Sequence, residues 1–143
     1  MGDRAVITTR AGWESRNDNL GVYLHWCGQK ECVSAFLAYC KMKGCPPPEE
    51  DCYGWARLCQ VTGNFLGGSD CVGIDVVSRL ECDNFDNGVY IIENWEITGR
   101  ELCDPDEDAD CGDREFEKLL IDIDAHQPKK EQLGKRRIRS LLG

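Results

Sequence analysis

The sequence predicts a single α+β domain, a mainly antiparallel sheet packed with about three helices. Three observations carry this. The 143 residues suit one compact domain and are 41% hydrophobic, enough to build a core. Apolar residues alternate in four short runs and recur with helical spacing in three longer ones, in the order β-β-α-α-β-β-α. Asn87-Gly88 lies between two apolar runs and is a strong short-range hairpin signal.

The first two strands are read at 5–9 (AVITT) and 20–26 (LGVYLHW). In the second, Val22, Leu24 and Trp26 should face one way and Tyr23 and His25 the other, by period-two alternation. Val33, Phe36, Leu37 and Cys40 then recur at i, i+3, i+4, i+7, the stripe of an amphipathic helix. Gly44 supplies its stop and Pro46-Pro47-Pro48 forbids continuation. Glu49, Glu50 and Asp51 place negative charge at the start of a second helix, roughly 52–65, which favours the positive end of its dipole. That helix should bury Trp55, Leu58, Cys59 and Phe65, with Arg57 on the opposite side. Gly63, Gly67 and Gly68 punctuate its exit, and 72–77 (VGIDVV) forms a third strand. Residues 89–97 (VYIIENWEI) read as one long strand, with Val89, Ile91, Trp95 and Ile97 on one face. A third helix carries Phe116, Leu119, Leu120 and Ile123, and Pro128 ends it.

Charge divides the chain. Lys and Arg number 17 against 26 Asp and Glu, a net charge of −9. Residues 101–125 hold eleven acids against Arg114 and Lys118, while 126–143 carry six bases against Glu131. The expected organisation is a domain over 1–125 with an acidic loop at 101–113, followed by a basic tail, 126–143, that frays or docks on an acidic neighbour. A chain this acidic does not coat long nucleic acid, and an anionic ligand needs a local basic pocket. Asp104, Asp106, Asp108 and Glu115 fall at calcium-loop spacing, but the required turn glycine is Ala109, so the segment reads as a solvated acidic loop.

Residues 1–20 contain no signal-peptide core, and no run approaches the ~18 apolar residues of a membrane span. The expectation is a cytoplasmic protein without membrane contact. Its ten cysteines include no Cys-x-x-Cys pair, so the leading reading is reduced thiols that pack as small hydrophobes; a metal site or disulfides remain the alternatives. No metal and no cofactor are expected. With two histidines, no Gly-x-Ser-x-Gly elbow and no phosphate-binding glycine loop, a catalytic constellation cannot be assembled, and the chain reads as no enzyme.

His25, Arg57, Phe85, Asn94 and Arg114 remain outside the predicted core stripes. Rings stack on a nucleobase, amides read its edge, and guanidinium groups pair with phosphate oxygens, so this set is the candidate ligand site. Arg114 leads the last helix, where backbone N–H groups favour phosphate.

The runs VYLHWCGQ (22–29), VSAFLAYCKMKG (33–44), YGWARLCQVTGNFLGG (53–68) and DNFDNGVYIIENWEI (83–97) resemble a family of small phage-encoded proteins, the type 1 Thoeris anti-defence proteins. The resemblance implies a sponge that sequesters cyclic ADP-ribose isomers, without cleaving them, and so silences a TIR-dependent bacterial immune signal. It further implies a homo-oligomer, dimer or hexamer, with members that also bind cyclic oligonucleotides at separate sites. Carried over residue by residue, it implies Arg57 as a phosphate or ribose contact, Phe85 as a stacking ring, Asn94 in the following strand and Arg114 at the last helix. After the His-Trp pair the family's Asn-Gly-Gly turn is replaced here by Cys27-Gly28-Gln29. The acidic stretch supports a second function class, a protein-binding inhibitor that mimics nucleic acid, as anti-CRISPR or anti-restriction proteins do.

Overall fold

The structure is a computed structural model and describes residues 3–9, 19–80, 87–101 and 113–143. Five strands, β1 (Ala5–Thr9), β2 (Leu20–Leu24), β3 (Val72–Val76), β4 (Val89–Glu93) and β5 (Glu96–Glu101), form one sheet in the order β3-β2-β1-β4-β5. Three neighbouring pairs are antiparallel, and the central pair, β1 with β4, is parallel. Among the described residues four α-helices accompany it: α1 (Lys30–Met42), α2 (Cys52–Leu66), α3 (Asp113–Ala125) and α4 (Lys135–Leu142). The fold class is α+β, as the pattern of periodicities predicts.

Alternation explains which sheet face carries the helices. Ala5 and Ile7 of β1, Val22 and Leu24 of β2, and Tyr90 and Ile92 of β4 are buried in one cluster with Val33, Phe36, Leu37 and Cys40 of α1. Leu58 of α2, Leu120 and Ile123 of α3 and Ile138 of α4 complete it. Each such aliphatic or aromatic side chain contributes about 1.5–3 kcal/mol by leaving water. The α1 stripe is the one the sequence predicts, and Gly44 beyond it has φ +77, the left-handed geometry that stops a helix. Asp51 caps α2, its carboxylate accepting from the Tyr53 N–H at 3.0 Å. At Gly54 a Cβ would lie 2.4 Å from the Pro46 carbonyl oxygen, so a glycine lets the first turn of α2 sit directly on the triproline loop.

Three sequence expectations need correction. The strand expected at 20–26 ends at Leu24, and Trp26 is 49% exposed rather than aligned with Val22 and Leu24. The segment 89–97 is two strands, not one: Asn94 and Trp95 have φ of 52° and 63° and form a two-residue hairpin connection. The turn resets the alternation, so Trp95 and Ile97 pack with Tyr90 and Ile92 rather than with Val89 and Ile91. Asn87-Gly88, in turn, closes no hairpin, since β3 and β4 are not neighbours. Asn87 instead ties the chain ahead of β4 to the chain ahead of β1, donating from Nδ2 to Asp3 Oδ1 at 3.0 Å and to the Arg4 carbonyl at 3.1 Å.

The tail takes the second of its two expected courses and docks on the acidic helix α3, and it carries a helix, α4, that the sequence reading did not include. Ile138 is fully buried, and Arg139 Nε lies 2.5 Å from Glu117 Oε1. The turn between α3 and α4 is held by the buried carboxylate of Asp124, which accepts from the Leu133 N–H at 2.7 Å and the Gly134 N–H at 2.9 Å. The same carboxylate accepts the Tyr39 hydroxyl at 2.6 Å. Burial, reinforced by that bond, holds the Tyr39 phenol far above its ordinary value, so it stays a donor. Asp124→Ala would leave the buried Tyr39 hydroxyl and two part-buried backbone N–H groups without their acceptor. It should lower unfolding stability by about 3 kcal/mol, seen as a lower urea midpoint at unchanged slope, with faster amide exchange over 133–142.

Candidate functional site

An open groove of about 510 Å³ lies between α1 and the edge strand β5. Its α1 wall is Lys30, Ser34, Leu37, Ala38 and Lys41, spaced so that all project from one helical face. Its other wall is Trp95, Glu96, Ile97, Gly99 and Arg100. Leu37 and Trp95 are almost wholly buried and form the floor.

The hairpin at Asn94-Trp95 positions this second wall. Trp95 Nε1 donates to the Cys45 carbonyl at 2.8 Å, and the Asn94 N–H donates to Glu49 Oε2 at 2.8 Å. Both partners belong to the loop between α1 and α2, so the strand and the helix facing it share one anchor. Arg100 is held from below, its guanidinium 4.3 Å over the Tyr90 ring and Nη2 donating to the Asn87 carbonyl at 2.8 Å. Across the opening Lys41 Nζ lies 3.7 Å from Glu96 Oε1, both side chains well exposed, a pairing worth little in water. Among the described residues that line the groove, the charged groups are Lys30, Lys41, Arg100 and Glu96, in a chain whose net charge is −9.

Of the residues singled out from the sequence, the four that are described do not line this groove. Arg57 is exposed on α2 and lines a separate notch of about 80 Å³ with Tyr39, Lys43, Cys45 and Gln127. That volume is well below the ~300 Å³ at which ligand pockets begin. Asn94 is exposed at the hairpin tip. His25 sits beyond the end of β2, its Nδ1 2.9 Å from the Tyr23 hydroxyl and its ring 5.0 Å from that of Trp26, edge to face. Leu24 pairs with Ala5 and Ile92 with Thr9, levels about 13 Å apart along the strands at the usual rise, and His25 and Asn94 lie beyond them at opposite ends of the sheet. Arg114 is exposed in the first turn of α3. Phe85 lies outside the described residues, as does the acidic loop over 102–112. None of His25, Asn94 and Arg114 lines the cavity that Arg57 lines.

Lys30, Lys41 and Arg100 were not legible as a set. Lys30, Ser34 and Lys41 share a helical face in the sequence, but their partner wall depends on the turn at 94–95, which the unbroken-strand reading hides. Seven cysteines, at 27, 32, 40, 45, 52, 59 and 71, stand as thiols, with Cys32 and Cys40 buried. Among the described residues no group of three or more His, Cys, Asp and Glu side chains is placed to hold a metal ion, and no helix is long and apolar enough to cross a membrane. No protein-family model, curated protein or solved structure matches the chain.

The positive φ at Asn94 gives that residue a backbone role. Asn tolerates the left-handed region better than any residue but Gly. Asn94→Gly should therefore leave the melting temperature nearly unchanged or raise it, whereas Asn94→Ala should cost about 1 kcal/mol, both read by thermal denaturation.

Proposed function

We propose that this protein binds and sequesters a small nucleotide-type anion of the cyclic ADP-ribose class in the groove between α1 and β5, without cleaving it. The observation that carries the reading is the set of cations on both walls of that groove, Lys30 and Lys41 on α1 and Arg100 on β5, with Glu96 beside them among the described lining residues, on a chain of net charge −9. A pyrophosphate is a dianion and would be repelled by most of this surface, so cations on opposing walls mark where it can be compensated. The apolar floor of Leu37, Trp95 and Ile97 offers a surface for the uncharged body of the ligand, and about 510 Å³ lies within the range of small-molecule sites. The place of the site rests on this geometry; the ligand class, the cytoplasmic setting and the role in silencing a TIR-dependent phage-defence signal rest on the four sequence runs that resemble the anti-defence family.

The nucleic-acid-mimic reading finds less support in α3. Asp124 is buried and Glu117 is paired with Arg139, so the docked basic tail offsets part of the charge a mimic would display.

Titration calorimetry with cyclic ADP-ribose isomers, and linear ADP-ribose as control, tests the proposal. A Lys30→Ala/Lys41→Ala double variant should bind at least tenfold more weakly, ~1.4 kcal/mol, and Arg57→Ala within twofold of the parent. Retained affinity in the double variant with loss in Arg57→Ala would move the site to the α2 notch. Ligand recovered chemically altered would overturn sequestration.

A further inference from the structure

The last helix gathers cations that the fold leaves uncovered. It carries Lys135, Arg136, Arg137 and Arg139, and the turn Lys129–Glu131 ahead of it adds Lys129 and Lys130, all of them exposed. Arg139 is paired with Glu117 of α3, and Glu131 is turned to Lys43 of α1, its Oε2 3.5 Å from Nζ. The side chains of Lys129, Lys130, Lys135, Arg136 and Arg137 make no ion pair or hydrogen bond among the described residues. Helix stability does not account for them. Lys135, Arg136 and Arg137 fill the first turn of α4, at the positive end of its dipole, where cations are unfavourable, and Gly134 supplies no side-chain cap. Asp124, the acid bonded just ahead of that turn, is taken up by Tyr39, Leu133 and Gly134.

The apolar side of α4 is only partly used by the core. At helical spacing Ile138, Leu141 and Leu142 share one stripe, and the cations occupy the rest of the surface. Ile138 is wholly buried, but Leu141 and Leu142 stand 49% and 42% exposed in the last turn. Arg137 and Leu141 are neighbours at i, i+4, so exposed leucine lies directly beside unpaired guanidinium. That combination selects the partner. A nucleic acid is held through its phosphates and would leave the leucines in water. An anionic bilayer takes both, cations at the headgroups and leucines at the acyl boundary.

We propose that α4 docks this protein peripherally on an anionic lipid surface, with Lys135, Arg136 and Arg137 meeting the phosphate headgroups and Leu141 and Leu142 entering the interface. The contact is reversible, because α4 has eight residues, remains seated on the core through Ile138 and offers two leucines only. A net charge of −9 does not prevent it, since salt at physiological strength confines charge interactions to roughly 8 Å. The sequence expectation of no membrane contact rests on the want of a spanning segment, which a surface contact does not need. No residue of α4 lines the groove between α1 and β5, so the docking stands apart from nucleotide binding.

The test is co-sedimentation of the full chain with phosphatidylcholine vesicles, with and without phosphatidylglycerol, at low and high salt. The parent should sediment with the phosphatidylglycerol vesicles at low salt, about tenfold less at high salt, and not with the neutral ones. Lys135→Ala/Arg136→Ala/Arg137→Ala should lower the partition coefficient about tenfold, and Leu141→Ser/Leu142→Ser about threefold. Both variants keep Ile138 and Arg139, the residues that tie α4 to the core and to α3. Failure to sediment with anionic vesicles at low salt, equal binding to neutral vesicles, or full binding by either variant would overturn the proposal. So would displacement of the bound chain by an equal phosphate concentration of a DNA oligonucleotide, which would assign the basic helix to nucleic acid. The lipid and salt dependence of the parent needs no variant, so a variant that failed to fold would not shield it.

Discussion

The carboxylate of Asp124 is the interaction on which the helical layer depends. It is buried, and it receives the Tyr39 hydroxyl from α1 and two backbone N–H groups from the turn into α4. A buried charge is tolerable only when several donors surround it, so the three bonds form as a unit. They fix α1 against α3 and seat Ile138 of α4 in the core. Because α1 is also one wall of the groove, the spacing of that wall is set from the far side of the helix. Groove-facing and structural residues of α1 thus occupy different faces of one helix.

The other wall is set by a different economy of contacts. The loop between α1 and α2 holds the hairpin tip through Cys45 and Glu49, and the triproline run stiffens that loop. Two walls tied to one anchor keep their separation, which is the preorganisation that tight binding needs. Charge is uneven along the sequence: the acids gather in 101–125, the basic tail pairs with α3 through Arg139 and Glu117, and α1 lines the groove with Lys30 and Lys41.

Much of the architecture was legible in the sequence because periodicity and caps report local physics. The α1 stripe ends at Gly44, Asp51 caps α2, and the short strands fall close to their expected positions. The failures are non-local or concern backbone sign. Nothing in VYIIENWEI announces that a tryptophan takes a left-handed conformation; it does so because burial of the ring and its bond to Cys45 outweigh the strain. Asn87-Gly88 carries the chemistry of a hairpin, yet its amide serves Asp3 and Arg4 across the sheet. In the tail, the helical spacing of Ile138 and Leu141 was overshadowed by the lysines and arginines around it. The candidate site was harder still, since Arg57 and Asn94 were chosen for their chemistry one at a time, while a groove is a relation between two elements distant in sequence.

The parallel seam between β1 and β4 carries a consequence for the history of the chain. Val6 pairs with Val89, so the middle of the sheet cannot zip until most of the polypeptide has left the ribosome. Until then the β1–β2 hairpin offers a bare hydrogen-bonding edge at Val6 and Ile7, both of which end up wholly interior. Synthesis therefore passes through a stretch in which nascent strands can pair with the wrong neighbour, and crowded translation or truncation ahead of β4 favours aggregation over assembly.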